Sequence, residues 1–220
     1  MLQKEGISLP PLPVDPNAHR PPLTLFLELD DIFLHTFLVD ENFGHMANPN
    51  SKTPEHEFFI QEVQQPVLVY ERDHMHEFLD FLKRNKPNLE PIIYTTGEQV
   101  YSQKLLKIID PDKQIFDHVF YRNACYLFEH REEDITIFVK DIARFKTRDI
   151  KRCVLMDPRP LSFMMTPENG MPVIPYIAEF DSQTEFNEKE DYLLTLMEEI
   201  EELMKMDDVR PYLDSTYKLR

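Results

Sequence analysis

The sequence predicts an α/β domain in which a parallel β-sheet is flanked by helices and carries a small β-hairpin insertion. Three observations lead there. Short, nearly continuous apolar runs alternate with amphipathic stretches of helical period, the pattern of strands buried on both faces. The 220 residues are enough for one good-sized α/β domain plus tails and too few for two comfortable ones. Residues capable of chemistry directly follow several of the apolar runs, where an open parallel sheet gathers its ligands.

In chain order, residues 1–22 read as an extended arm, because prolines at 10, 11, 13, 16, 21 and 22 favour polyproline-like backbone and leave little to bury. Leu9-Pro10-Pro11-Leu12-Pro13 would suit a proline-recognition module, although a simple arm or linker is the better reading. An arm so poor in core residues needs something outside the domain to order it. Thr24 to Leu29 (TLFLEL) is the first buried strand. A polar, turn-rich stretch runs from Asp40 to Glu57, and Phe58–Ile60 and Val67–Tyr70 then form a hairpin around Gln64-Gln65-Pro66. Asp73 is placed to cap a helix through Lys83 with Met75, Phe78, Leu79 and Leu82 on one face. Ile92–Tyr94 is a strand, and Gln99 to Ile109 a helix that stops before Pro111. Ile135–Val139 and Val154–Met156 are further strands. Asn187 to Met206 makes an acidic helix with Leu193, Leu196, Met197, Ile200, Leu203 and Met204 as its apolar stripe. The domain thus spans 23–206, with a C-terminal tail over 207–220.

A net charge of −16 excludes nucleic acid as a partner, since phosphate backbones demand clustered Lys and Arg, and favours cationic protein segments. No apolar run approaches the roughly 18–20 residues of a membrane-spanning helix. Glu5, Asp15 and the prolines suit neither a secretory signal nor an Arg-rich transit peptide. Cys125 and Cys153 match no metal or redox spacing, and Cys153 opens an apolar run, as a buried free thiol would. His74 and His76 have no neighbouring ligands and read as a surface pair rather than a zinc site.

At the strand ends stand Glu28-Leu29-Asp30-Asp31-Ile32, Thr95, Lys140 and Asp157. Carboxylates, a hydroxyl and a lysine at successive strand ends are what a site for phosphate plus magnesium requires. The blocks TLFLELDDIFLHT (24–36), VYERDHMHEFLDFL (69–82), IIYTTGEQVYSQKLLKIIDP (92–111), FVKDIARF (138–145) and CVLMDPRPLSF (153–163) occur in the order and spacing of a known group. Over residues 23–213 the chain resembles the haloacid-dehalogenase (HAD-like) phosphatases of the NLI-interacting-factor type. That branch includes phosphatases of the RNA polymerase II C-terminal domain and the presequence-receptor subunit of the mitochondrial inner-membrane translocase. The resemblance implies a Rossmann-like HAD fold. It also implies that Asp30 matches the acid/base, Thr95 the phosphate-holding hydroxyl, Lys140 the phosphate-holding lysine and Asp157 the first acid of the last motif.

Three positions depart from that pattern. Glu28 stands where the resemblance implies a nucleophilic, metal-binding Asp; one more methylene displaces the carboxylate by about 1 Å, an error worth ~10²-fold or more in positioned chemistry. Pro158 stands where the last metal-ligating side chain is implied, and magnesium tolerates an incomplete octahedron poorly. Ile32 replaces the usual Thr or Val, a milder change. Loss of a nucleophile from a concerted site costs ~10⁴- to 10⁶-fold. The expectation is therefore a degenerate phosphatase, with no catalytic residue, cofactor or metal, and with Glu28, Asp30, Thr95, Lys140 and Asp157 as a vestigial pocket. Lys140 with Glu28 and Asp157 can also be read simply as a buried ion cluster, kept because removing one member strands the others.

The resemblance further implies a role. Leu29-Asp30-Asp31-Ile32-Phe33-Leu34-His35 is similar in texture to the degenerate first motif of the translocase receptor branch, which has a membrane anchor ahead of its domain where this chain has the proline-rich arm. The leading expectation is a non-catalytic accessory subunit of a mitochondrial inner-membrane complex, contacted by other subunits in part through the 1–22 arm. An acidic receptor for basic presequence-like peptides is the second. A magnesium-dependent protein serine/threonine phosphatase of the nucleus or cytoplasm is the third.

Overall fold

The computed structural model describes residues 5–12, 20–39, 53–62, 64–130, 135–178 and 190–219. Five parallel strands form the central sheet: β1 (Leu23–Leu27), β5 (Leu89–Tyr94), β6 (His118–Phe120), β9 (Cys153–Asp157) and β10 (Gly170–Pro172), in the order β10-β9-β1-β5-β6. Every residue of β1, β5 and β9 is buried, which is why their sequences read as continuous apolar runs rather than alternating ones. The two-residue period still sorts their side chains. Leu23, Leu25, Leu27, Ile93, Val154 and Met156 face one cluster; Phe26, Ile92, Tyr94, Cys153 and Leu155 face another.

The first cluster is closed by four helices, α1 (Met75–Arg84), α2 (Gln99–Ile109), α3 (Tyr192–Met204) and α4 (Arg210–Tyr217). The opposite face is covered without an α-helix, by Ile142, Phe145, Phe163, Cys125 and Leu9. Phe145 stacks there against Phe26 at 4.6 Å and Phe120 at 4.9 Å between ring centroids.

The insertion between β1 and α1 is larger than a hairpin. β3 (His56–Ile60) and β4 (Gln65–Glu71) pair antiparallel as expected, but β2 (Leu34–Leu38) joins them in a three-stranded sheet, β2-β4-β3. The polar stretch over 40–52 lies outside the described residues. Ile135–Val139 (β8) also differs from expectation. It does not join the parallel sheet but pairs antiparallel with β7 (Tyr126–His130) in a separate ribbon.

Helix α2 has the expected limits, because Pro111 bars its continuation and the Asp110 carboxylate takes the amides of Gln114, Ile115 and Phe116. At α1 the cap position is held by His74 in the left-handed region (φ 62°) rather than by Asp73, whose carboxylate instead accepts from the Glu190 amide. α3 starts at Tyr192 and ends at Met204, shorter than expected; residues 187–189 lie outside the described residues. Its last carbonyls are taken by the Arg152 guanidinium, which bonds Leu203 O (3.1 Å) and Met204 O (3.2 Å) and also reaches Pro21 O. Residues 207–220, read as a tail, carry α4, with Val209 and Leu213 buried in the helical cluster.

The described part of the N-terminal arm packs on its own domain. Ile7 forms a parallel bridge with Phe145, donating to Arg144 O (2.7 Å) and accepting from the Lys146 amide (3.1 Å). Leu9 is 7% exposed, and Arg148 donates to Pro10 O at 2.9 Å while ion-paired with buried Glu90. Around Ile7 the arm thus makes one parallel bridge to its own domain. Among the described residues no helix is long and apolar enough to cross a membrane.

Candidate functional site

The register sets Leu27 of β1 beside Ile93 of β5 and Met156 of β9, so the residues that follow these strands converge at one sheet edge. Glu28, Thr95 and Asp157 arrive from there, each 0% exposed. Lys140 arrives from the β7–β8 ribbon instead of from a sheet strand, and it too is 0% exposed. Its Nζ donates to Glu28 Oε2 at 2.8 Å and to Asp157 Oδ2 at 2.5 Å. The buried ion cluster thus exists, with a fourth member that the family motif does not mark. Arg159, directly after Pro158, turns its guanidinium back to bond Glu28 Oε2 and lies 3.3 Å from Asp157 Oδ1.

Thr95 holds the next turn in place, accepting from the Gly97 amide at 2.9 Å. A Cβ on Gly97 would lie 2.5 Å from Ser102 Oγ, so any side chain there would have to displace the serine hydroxyl. Thr96 gives both its amide (3.2 Å) and its hydroxyl (3.3 Å) to Glu28 Oε2. Asp30 stands apart from the cluster. Its carboxylate receives the Tyr101 hydroxyl, and that oxygen is in turn 2.8 Å from Thr36 Oγ1. Ile32 is buried in the core and takes no part in the site.

The electrostatics follow from burial and partners. Burial pushes the Glu28 carboxyl up, but Lys140 and Arg159 outweigh it and bring it down to about 2. Burial, helped by the charge of Glu28, drives Asp30 up to about 7 against the Tyr101 hydrogen bond. Lys140 loses basicity to burial and regains more from Asp157 and Glu28, ending above its ordinary value.

The family implies a magnesium ion bound by the carboxylates at 28 and 157 and by the side chain at 158. The residues present do not fit one. Glu28 accepts five hydrogen bonds, from the Leu29 amide, the Thr96 amide and hydroxyl, Lys140 and Arg159. Four of these fall on Oε2, which leaves that oxygen no position for a metal, while Oε1 accepts only from the Leu29 amide. Asp157 accepts from Lys140 on one oxygen and from the amide and Nε of Arg159 on the other. Pro158 has no donor atom. The chemistry of this donor set is that of a closed ion cluster.

The other expectations outside the cluster are soon placed. His74 contacts Glu77 and Asp191, His76 contacts Glu71, and among the described residues no group of three His, Cys, Asp or Glu converges on a metal position. Cys125 and Cys153 are free and buried, and burial pushes the Cys153 thiol up to about 12. Arg159, Thr96 and Tyr101 were not found from sequence. The signal for Arg159 was present in Asp157-Pro158-Arg159-Pro160, a cation locked between two prolines at the very place where a metal ligand was missing.

A parallel sheet with acids at the ends of β1 and β9, a threonine after β5 and a lysine reaching across defines a phosphatase-type HAD fold. The chain belongs to the NLI interacting factor-like phosphatase family, which it matches over residues 23–210. It is 29% identical over 211 residues to the CTD small phosphatase-like protein 2 of Dictyostelium discoideum, covering 96% of this chain and 32% of that protein. It is 28% identical over 205 residues to the mitochondrial import inner membrane translocase subunit TIM50 of Debaryomyces hansenii, covering 92% of this chain and 35% of that one. The solved structure of Fcp1, an essential RNA polymerase II CTD phosphatase, superposes with a TM-score of 0.53 at 23% identity, over 84% of this chain and 51% of that one, and shares the fold. The chain spans 32%, 64% and 54% of the length of three curated phosphatase relatives.

Proposed function

We propose that this chain is a non-catalytic member of its family, serving as an accessory subunit of a larger mitochondrial inner-membrane assembly. One observation carries the non-catalytic part. The carboxylate at the nucleophile's position is wrapped by Lys140, Arg159 and Thr96, all of which bond Oε2, and held near pKa 2, so that oxygen is committed to the protein. A nucleophile needs a free lone pair aimed at substrate. The assembly and its location are supported by relatives named as inner membrane translocase subunits. Two experiments test the reading. Magnesium-dependent turnover of p-nitrophenyl phosphate that vanishes on Glu28→Gln would defeat the first part; native purification that yields only a free monomer would defeat the second.

A second reading, a receptor for basic presequence-like peptides, is favoured by a cleft of about 470 Å³ above the cluster. Asp30, Glu62 and Glu98 line it against Arg122 and Arg159, together with exposed Leu38 and Val100, so it offers a small excess of acids beside apolar side chains. A basic amphipathic peptide should bind there with an affinity that falls steeply with salt. Salt-independent binding, or none, rejects this reading. The phosphatase reading draws on the relatives named as phosphatases and on Asp30, whose pKa near 7 suits acid–base exchange. It has no activated nucleophile to serve.

A further inference from the structure

The sequence departures at 28 and 158 leave open which group closes the site to metal. We propose that it is Arg159: its guanidinium stands in for the divalent cation, completing the charge balance of the cluster so that the fold carries a built-in cation and excludes magnesium. The inference deepens the non-catalytic reading and rests on it for its meaning, though not for its test.

Charge comes first. Glu28 and Asp157 contribute two negative charges at full burial, and Lys140 and Arg159 contribute two positive ones. The cluster is neutral as it stands, so a divalent ion would leave it with two uncompensated charges in a desolvated place. Without Arg159 one negative charge is unmatched, which is the condition for recruiting a cation.

Position comes second. Arg159 bridges the same two carboxylates that the family uses for its metal, reaching Glu28 Oε2 with Nη2 and Asp157 Oδ1 with both Nε and its own amide. Its aim is fixed by the backbone. Pro158 precedes it, Pro160 follows it, and a residue before proline is confined to extended conformations, as its φ −101° and ψ 113° show. The side chain is half exposed and enters from the cleft, whereas Lys140 is sealed inside. Arg159 is therefore the cation that can be removed without opening the core.

The test separates Arg159 from Pro158 by measuring metal binding rather than turnover. Magnesium and manganese chloride are titrated into the unmodified chain, Pro158→Asn, and Pro158→Asn with Arg159→Ala, using calorimetry and the manganese paramagnetic signal. Only the double variant should bind, and about 10 mM magnesium should raise its Tm by roughly 5 °C while leaving the other two unchanged. Binding by the unmodified chain or by Pro158→Asn alone would overturn the proposal, since Arg159 would then not be the excluding group. A folded double variant that binds neither ion overturns it too. Should the alanine variant fail to fold, Pro158→Asn with Arg159→Gln keeps N–H donors without the charge and is held to the same criteria. Turnover by the unmodified chain would count against the non-catalytic reading alone, because these binding data are independent of activity.

Discussion

Replacing Lys140 by methionine is the sharpest probe of the cluster. The side chains of Lys140, Glu28 and Asp157 are each 0% exposed, and the ammonium is the one cation that touches both carboxylates from inside. Methionine fills the same length but leaves two buried acids to Arg159 alone. Breaking a buried pair on one side costs about 3–5 kcal/mol. The lowered pKa of Glu28 has the same sign, since against burial Lys140 and Arg159 favour its charged form. For a domain of this size each kcal/mol moves Tm by about 2–4 °C, so Lys140→Met should melt roughly 10 °C below the parent at pH 7. The pH dependence adds a sign. Glu28 has a folded-state pKa below its unfolded value, so its stabilisation is complete above 4.5 and is lost as pH falls toward 2. The gap between parent and variant, followed by far-UV circular dichroism, should therefore narrow across that interval. A variant melting within about 2 °C of the parent at pH 7, or a gap that stays constant in acid, would refute the assignment of these groups as a mutually dependent cluster. The double change Glu28→Gln with Lys140→Met should cost less than the sum of its parts.

Two further outcomes follow from contacts away from the cluster. Tyr101→Phe removes the hydroxyl that holds down the Asp30 carboxyl, so its pKa should climb above about 7. Carboxyl-detected NMR titration reads this directly, and an unchanged or lower value would show that the Tyr101 hydroxyl does not hold the carboxyl down. Leu9→Ala should destabilise by about 2 kcal/mol at most, because the arm can detach rather than leave a cavity. Hydrogen exchange at the Ile7 and Lys146 amides should speed up, and unaltered protection of both would mean the arm is not held by Leu9.

Much of this protein is legible without coordinates, for a physical reason. A strand buried on both faces must be apolar throughout, so β1, β5 and β9 announce themselves, and a helix laid on a sheet must repeat at 3.6 residues, so α1, α2 and most of α3 do too. Residues at the carboxyl ends of such strands meet by topology, which is why Glu28, Thr95 and Asp157 could be grouped in advance. Elements stabilised by long-range pairing were not legible. β6 and β10 are three residues each at sheet edges, β2 and β7 carry mixed polarity, and α4 begins beside Pro211 and depends on packing against the helical cluster. Lys140 reaches the cluster from an unexpected strand context, because a run such as Ile135–Val139 does not encode which partner it will hydrogen-bond. Local sequence could say that Glu28 and Pro158 stand where the resemblance implies a nucleophilic Asp and a metal-ligating side chain. Only the tertiary structure could show Arg159 against Glu28, since the two are 131 residues apart and folding brings them into contact.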